Sequence, residues 1–374
     1  MKIFVITPVY ALSGVPLAQI RLAKVFAKLD HKVTLIIGRV NEGFKLPEIH
    51  NIDLIVLKRY RVITMFKDIV NISNTSLPDI IFSAEDHLNI TLMLASFFFR
   101  KKTKISCSSR VTPFDTYSNN PLKKGFYLKI LMKVLMNRAD VLSCVSEDMV
   151  GQYKLLFKNS RHQRIYNIIG PDNIEKMKSE TINHDWFNSN FKVIIGAGNL
   201  SPWKGFTDLI LAFSNIEQKD NLKLVILGDG PMKEELENLI LKLNLEDKIL
   251  LMGNVSNPFK YFSKSSLFVL SSRVEGLPNV MVEAMMCDCR VVSYNCPTGP
   301  REILHNGKYG TLVRPDDVSM LTNSIIESLR NPLPDNFFKN ACKPFTEEQV
   351  MEQHRRSLNI SEDLFYKGNY ENRS

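Results

Sequence analysis

The chain has 374 residues, 44% hydrophobic and 23% charged, which is the composition of a folded globular protein and length enough for two domains with separate cores. No window approaches the ~20 uninterrupted apolar residues of a membrane span; the best, residues 90–99, is half that length and runs into Arg100-Lys101-Lys102. The net charge of +9 is uneven: residues 1–175 carry 25 Lys and Arg against 14 Asp and Glu, a net +11, and residues 176–374 carry 23 against 25, a net −2.

A basic half calls for an anionic partner, such as a membrane surface, a phosphorylated substrate or nucleic acid. The sequence shows no zinc-finger spacing and no aromatic-rich RNA-binding signature, so nucleic acid is set aside. The first residues, Met1-Lys2-Ile3-Phe4-Val5-Ile6, enter a strand without a signal-peptide cleavage site. A cytosolic chain is therefore expected, with its six cysteines reduced.

In chain order, residues 2–7 read as a buried strand and residues 7–16 as a loop holding Gly14. Residues 17–29 read as an amphipathic helix and residues 31–37 as a second strand. This βαβ start predicts a parallel sheet flanked by helices. The first loop has a single glycine, so the G-x-G-x-x-G dinucleotide fingerprint is absent. Further strands fall at 52–57, 79–82, 104–107 and 141–145. Residues 121–138 form a basic helix with Leu122, Phe126, Ile130, Val134 and Leu135 on one face. Such a helix can lie on an anionic bilayer, or turn its apolar face to the core and its lysines to solvent.

Gly, Pro and Asp cluster in residues 165–174, the expected linker. Beyond it the βα alternation resumes, with strands at 192–196, 223–228 and 249–251 and helices at 206–216, 232–243 and 258–263. A strand at 267–270 then opens into a polar loop, residues 271–278, and a helix starts near Asn279. A strand at 290–294 is followed by a Gly-Pro loop, a helical turn at 301–304, a strand at 311–313 and helices at 319–329 and 347–358. The tail after Ser361 is expected to fray.

The stretch from Val269 to Val292 is where chemistry concentrates. Glu275 in the loop and Glu283 on the helix flank Gly276-Leu277-Pro278-Asn279, which lead into a helix N-terminus whose free N–H groups favour an anion. The residues alone allow a grip on a phosphorylated sugar or an ordinary βαβ corner with two solvated acids. The pattern E-G-L-P-N-V-x-x-E-A-M closely resembles the E-x7-E signature of retaining family-4 glycosyltransferases. So do GNLSPWKGFTDLILAF (198–213) and LVILGDGP (224–231) before it, and the likeness spans residues 190–315 without a gap.

The resemblance implies a GT-B fold, two facing Rossmann-like α/β domains with a cleft between them and a C-terminal helix crossing back. Residues 1–168 would bind the acceptor and 169–345 the nucleotide sugar, with 346–374 packing on the N-terminal domain. Lys204 is the cation implied for the leaving diphosphate. The family has arginine where Asn199 stands, so either Lys204 works with another cation, Arg273 or Arg301, or the leaving group is stabilised differently here. Glu283 would bind the donor ribose and Glu275 the donor sugar beside the reacting centre. The stretch Gly276, Leu277, Pro278, Asn279 and Val280 would line the sugar and phosphates, through the backbone N–H groups of all but the proline, with Val255 near the base and Gly14 near the donor phosphates. Relatives place a His after the strand at 104–107; this chain has Arg110 there, able to meet a phosphate of donor or acceptor or to serve as a structural ion-pair partner. His87 is assigned a plain surface or core role.

In this account no second carboxylate attacks the sugar, and the E-x7-E pair is not a glycosidase acid/base pair. The donor is a nucleotide sugar, UDP-linked, and a substrate rather than a cofactor. The acceptor is a glycan or polyprenyl-diphosphate-linked glycan. No metal is expected: Cys287-x-Cys289…Cys296 with His305 lacks knuckle spacing, and there is no Asp-x-Asp loop. Two rivals share the architecture, a sugar-nucleotide epimerase and an inactive nucleotide-sugar-binding module.

Overall fold

A computed structural model describes every residue except 12–13, 42–45, 47–48, 172, 331–332, 335 and 367–374. Its contacts divide the chain into two compact units, Met1–Ile168 with Phe345–Ser374, and Ile169–Pro344.

Unit one carries seven parallel strands: β1 Lys2–Tyr10, β2 Lys32–Val40, β3 Ile52–Val56, β4 Ile80–Ala84, β5 Lys104–Ser109, β6 Val141–Cys144 and β7 Gln163–Arg164. Their order across the sheet is β3-β2-β1-β4-β5-β6-β7. Ile3, Phe4, Val5 and Ile6 are all buried, as an apolar run in a central parallel strand must be when both faces are covered. Val9 and Tyr10 still pair with Arg39 and Val40, so β1 outruns the expected loop at 7–16, and the helix Gly14–Lys28 has begun by Gly14.

Four helices of unit one escape the sequence pattern, Phe66–Ser76, Asp86–Ala95, the short Pro113–Thr116 and Glu147–Leu156. The first is rich in Asn, Ser and Thr, weak helix formers that read as loop. The second is buried almost all round, which erases the amphipathic period.

The chain's end belongs to unit one. Helix Glu347–Ser357 buries Val350, Met351 and His354. Contrary to the frayed tail expected after Ser361, a helical turn Glu362–Phe365 follows; Phe365 is fully buried, edge-on to Phe26 at 5.6 Å, with its carbonyl 2.8 Å from His31 Nε2. The rest of that tail, 367–374, lies outside the described residues. The expected linker also shortens, because Ile165, Tyr166 and Ile168 are buried in unit one.

Helix Lys124–Leu135 corrects the core-facing reading of residues 121–138. It buries only Met132 and Leu135, while Leu122, Ile130 and Val134 are exposed.

Unit two carries six parallel strands: β8 Lys192–Ala197, β9 Leu222–Leu227, β10 Ile249–Gly253, β11 Leu267–Leu270, β12 Val291–Tyr294 and β13 Thr311–Val313, in the order β10-β9-β8-β11-β12-β13. Its core joins Ile194, Leu224 and Ile226 of the sheet to Phe213, Leu321 and Ile325 of the helices Phe206–Ser214 and Val318–Ser328. Both sheets thus follow the doubly wound pattern, each with one point where the strand order reverses.

Burial holds His354 of unit one neutral, its pKa lowered to about 3, with Arg110 adding repulsion. The folded value lies below the unfolded one, so this contribution to stability is present above the ordinary histidine range and is lost as pH falls. Burial pushes the carboxyls of Glu85 and Asp86 the other way, so the histidine is isolated by difference. Denaturant melts at pH 7 and pH 5 should show wild type losing roughly 1–2 kcal/mol more than His354→Phe. Equal losses would show that His354 is not held neutral.

Candidate active site

In unit two the chain runs outward from β8 through β9 to β10, then crosses to β11 and runs the opposite way. The loops leaving the C-terminal ends of β8 and β11 therefore diverge, opening a crevice that side chains of both can enter. The first loop ends in the turn Pro202–Lys204; the second, residues 271–278, leads into the helix Asn279–Met285. Lys204 Nζ donates to Glu275 Oε1 at 2.6 Å, with the two side chains 18% and 10% exposed. Two of the predicted site residues, 71 positions apart, thus meet as one ion pair at the switch point.

Backbone constraints hold them there. Gly205 has φ +64°, and a Cβ on it would stand 2.1 Å from Ser271 O. Ser271 Oγ donates to Lys204 O at 2.9 Å and Arg273 N to Trp203 O at 2.8 Å, so the two loops are stitched side by side. On the other flank, Glu275 N donates to Pro297 O at 2.8 Å and Thr298 N to Glu275 O at 3.0 Å. The buried Thr298 hydroxyl also reaches the carbonyls of Glu275 at 2.9 Å and Gly276 at 2.8 Å. Gly299, at φ +99°, lets that loop close on Pro278, which a Cβ would approach to 2.7 Å. Sequence reasoning passed over Thr298 and Gly299, whose only signal is a Thr-Gly-Pro triplet following a strand.

Arg273, one of the two candidates for a second cation, is held by two carboxylates. Its Nη2 donates to Asp208 at 2.7 Å and its Nε to Asp316 at 2.7 Å, and Tyr294 OH completes Asp208 at 3.2 Å. That network ties the Glu275 loop to the helix Phe206–Ser214, a structural task. Arg301 is exposed, with Nε on Asn295 Oδ1 at 3.2 Å. Asn199 is exposed in the β8 loop, its Oδ1 lying against the backbone of Gly230.

Leu277 and Pro278 are buried, whereas Gly276, Asn279, Val280 and Glu283 are half-buried. The Asn279 N–H, one of the donors implied for the sugar, already meets Leu277 O at 2.9 Å. Val255 follows β10 two residues after Gly253, whose carbonyl accepts from Gly228 N at 2.8 Å. Among the described residues no cluster of three or more His, Cys, Asp or Glu could hold a metal, and all six cysteines are buried free thiols.

The switch point of unit one lies between β1 and β4. Gly14 opens the helix after β1, Glu85 follows β4, and Arg110 follows β5. Asp86 is buried and anchors this corner, accepting from Ser109 Oγ at 2.5 Å and Tyr153 OH at 2.5 Å. Glu85, a residue sequence reasoning missed, sits at φ +79°, a left-handed conformation costing a non-glycine residue about 1–3 kcal/mol. Burial pushes its carboxyl above the ordinary range against the pull of Arg110. Burial likewise pulls the Arg110 guanidinium down to about 10, and its buried Nε and Nη1 find no hydrogen-bond partner among the described residues. Backbone strain at Glu85 and two unpartnered Arg110 nitrogens thus lie side by side at this switch point. His87 is half-buried in the first turn of the helix Asp86–Ala95.

Replacing Gly205 by Ala should destabilise unit two by roughly 2–4 kcal/mol, from positive φ and the clash with Ser271. Gly151 is the control, because it lies inside the helix Glu147–Leu156 and an added methyl there would meet nothing within 4 Å. Gly151→Ala should be stabilising by about 0.5–1 kcal/mol. Urea midpoints that moved alike would remove the argument for the loop contact.

Residues 177–343 match the family described as Glycosyl transferases group 1. An uncharacterised glycosyltransferase of Methanocaldococcus jannaschii is 31% identical over 288 residues, 70% of this chain and 68% of that one. An N-acetylgalactosamine-N,N'-diacetylbacillosaminyl-diphospho-undecaprenol 4-alpha-N-acetylgalactosaminyltransferase of Campylobacter jejuni is 33% identical over 256 residues, 67% of this chain and 66% of that one. Among solved structures, Anabaena HepE in complex with UDP superposes with a TM-score of 0.76 at 20% identity, covering 96% of this chain and all of that one. Sucrose-phosphate synthase from Thermosynechococcus elongatus does so at 0.76 and 15%, covering 96% and 99%, and both likenesses bear on the fold alone. With doubly wound units of this kind and a sequence likeness of this length, the chain belongs to the group 1 glycosyl transferases.

Proposed function

We propose that this glycosyltransferase moves a hexose or N-acetylhexosamine, with retention, from a UDP-linked donor to a hydroxyl of a polyprenyl-diphosphate-linked glycan. The setting is surface-polysaccharide assembly at the cytoplasmic, anionic face of a membrane. The observation that carries the reading is the Lys204–Glu275 ion pair at the switch point of unit two. A lysine there is a point charge for the departing diphosphate, and the carboxylate beside it accepts hydroxyl hydrogen bonds from the transferred sugar. With no donor present the two charges neutralise one another. Donor phosphate competes for Lys204 and frees Glu275 for the sugar, so both contacts form together.

The UDP held by Anabaena HepE supports the choice of nucleotide, and the name of the Campylobacter relative supports a lipid-linked diphosphate acceptor. Retention rests on the E-x7-E resemblance. Glu283, half-buried on its short helix, is assigned to the ribose. In unit one, Arg110 is assigned to an acceptor phosphate and Glu85 to orienting the groups around it.

Lys204→Ala should lower kcat/KM about 10²–10³-fold and shrink the melting shift given by UDP, because a charge-assisted contact to the leaving group is lost. Glu275→Gln should lower kcat while leaving the UDP shift in place. A UDP shift unchanged in Lys204→Ala would sink the donor assignment, and an inverted anomeric configuration in the product would sink retention.

Arg110→Gln should raise KM for a diphosphate-linked acceptor by about tenfold or more with UDP affinity unchanged. Loss of UDP affinity instead would move Arg110 to the donor.

A further inference from the structure

Helix Lys124–Leu135 turns a complete apolar stripe outward. Tyr127, Ile130, Leu131 and Val134 follow the i, i+3, i+4, i+7 spacing of a single helical face, and all are exposed, Ile130 at 47% and Val134 at 70%. Cations bound the stripe: Lys123 and Lys124 precede it, Lys133 lies beside it, and Arg138 comes one turn after Val134. The Arg138 guanidinium lies 4.5 Å over the ring of Phe97, so a second exposed apolar stretch adjoins the first there. Phe97 and Phe98 are 58% and 61% exposed and, with Phe66, line an open groove of about 860 Å³.

Charge singles out the same region. Residues 87–139 hold 10 Lys and Arg against one acid, Asp115, a net +9 that equals the net charge of the whole chain. The remainder of the protein is neutral in sum. A contiguous exposed apolar surface of this kind marks a docking face. A rim of cations with Tyr and Phe between them fits one partner chemistry, an anionic bilayer. The aliphatic side chains enter the acyl boundary, the aromatic rings sit at headgroup depth, and the long basic side chains reach lipid phosphates.

We propose that the outward face of Lys124–Leu135, continued by Phe97 and Phe98, is a membrane-docking surface that lies in the interface of an anionic bilayer. The inference rests on the reading of a lipid-linked acceptor and names the part of the chain that meets the membrane. The lysines supply attraction that salt screens, and the stripe supplies insertion that salt leaves alone.

The test is flotation of the full chain with vesicles of phosphatidylcholine alone or with about 30% phosphatidylglycerol. Wild type should float with the anionic vesicles only. Ile130→Glu/Val134→Glu, and separately Lys123→Gln/Lys124→Gln/Lys133→Gln, should each reduce partitioning roughly tenfold or more. Val134→Trp should give an indole emission that shifts to the blue on anionic vesicles and is quenched by brominated acyl chains. All these positions are exposed, so circular dichroism melts should match wild type. Wild type that stays with the neutral pool, variants that float like wild type, or a sedimenting dimer that the Glu pair dissolves would each overturn the proposal, the last by showing that a second copy covers the face. Transfer to a water-soluble acceptor analogue is measured alongside. Flotation without any transfer would sink the enzymatic reading and leave the surface standing; transfer without flotation would do the reverse.

Discussion

The ion pair of Lys204 with Glu275 is the contact on which the site of unit two depends, and it exists because a parallel sheet reverses its winding between β8 and β11. Strands wound in one sense send their connecting loops in one direction. Only at the reversal do neighbouring loops part and leave room for side chains from both. A cation from one loop and a carboxylate from the other then share a half-buried spot, 2.6 Å apart, where each holds the other in place. The proposed donor, a nucleotide sugar, carries both an anion and hydroxyl groups and so matches the two opposing charges.

The surroundings of that pair are devoted to backbone position. Gly205 allows the β8 loop to touch Ser271, Gly299 allows the next loop to close on Pro278, and Thr298 clamps the carbonyls of Glu275 and Gly276. Arg273, with Asp208, Asp316 and Tyr294, ties the same loop to the neighbouring helix. Two carboxylates at 2.7 Å hold this arginine, and its geometry is that of a strut.

Unit one presents a different balance. Its switch point holds a strained, half-buried Glu85 and an Arg110 whose Nε and Nη1 lack hydrogen-bond partners among the described residues, an arrangement that costs stability. Its surface carries all of the chain's excess positive charge beside an apolar stripe left bare. Both features are the ones on which the proposed acceptor, a diphosphate joined to a lipid, rests.

Local sequence determined a good deal of this. Strands β8 to β13 were legible because buried parallel strands are short apolar runs between turn residues, and the loop and helix bearing Glu275 and Glu283 began where the Gly-Leu-Pro-Asn step placed them. Helix Asp86–Ala95 was not legible, since burial on every side leaves no period to detect, and the apolar face of residues 121–138 gave no sign of whether core or solvent lay opposite it. Partnership was decided only by the tertiary structure. That Lys204 meets Glu275, that Arg273 is spent on two aspartates, and that Glu85 is strained beside Arg110 all depend on which strands become neighbours, and contacts between residues tens of positions apart leave no trace in local spacing.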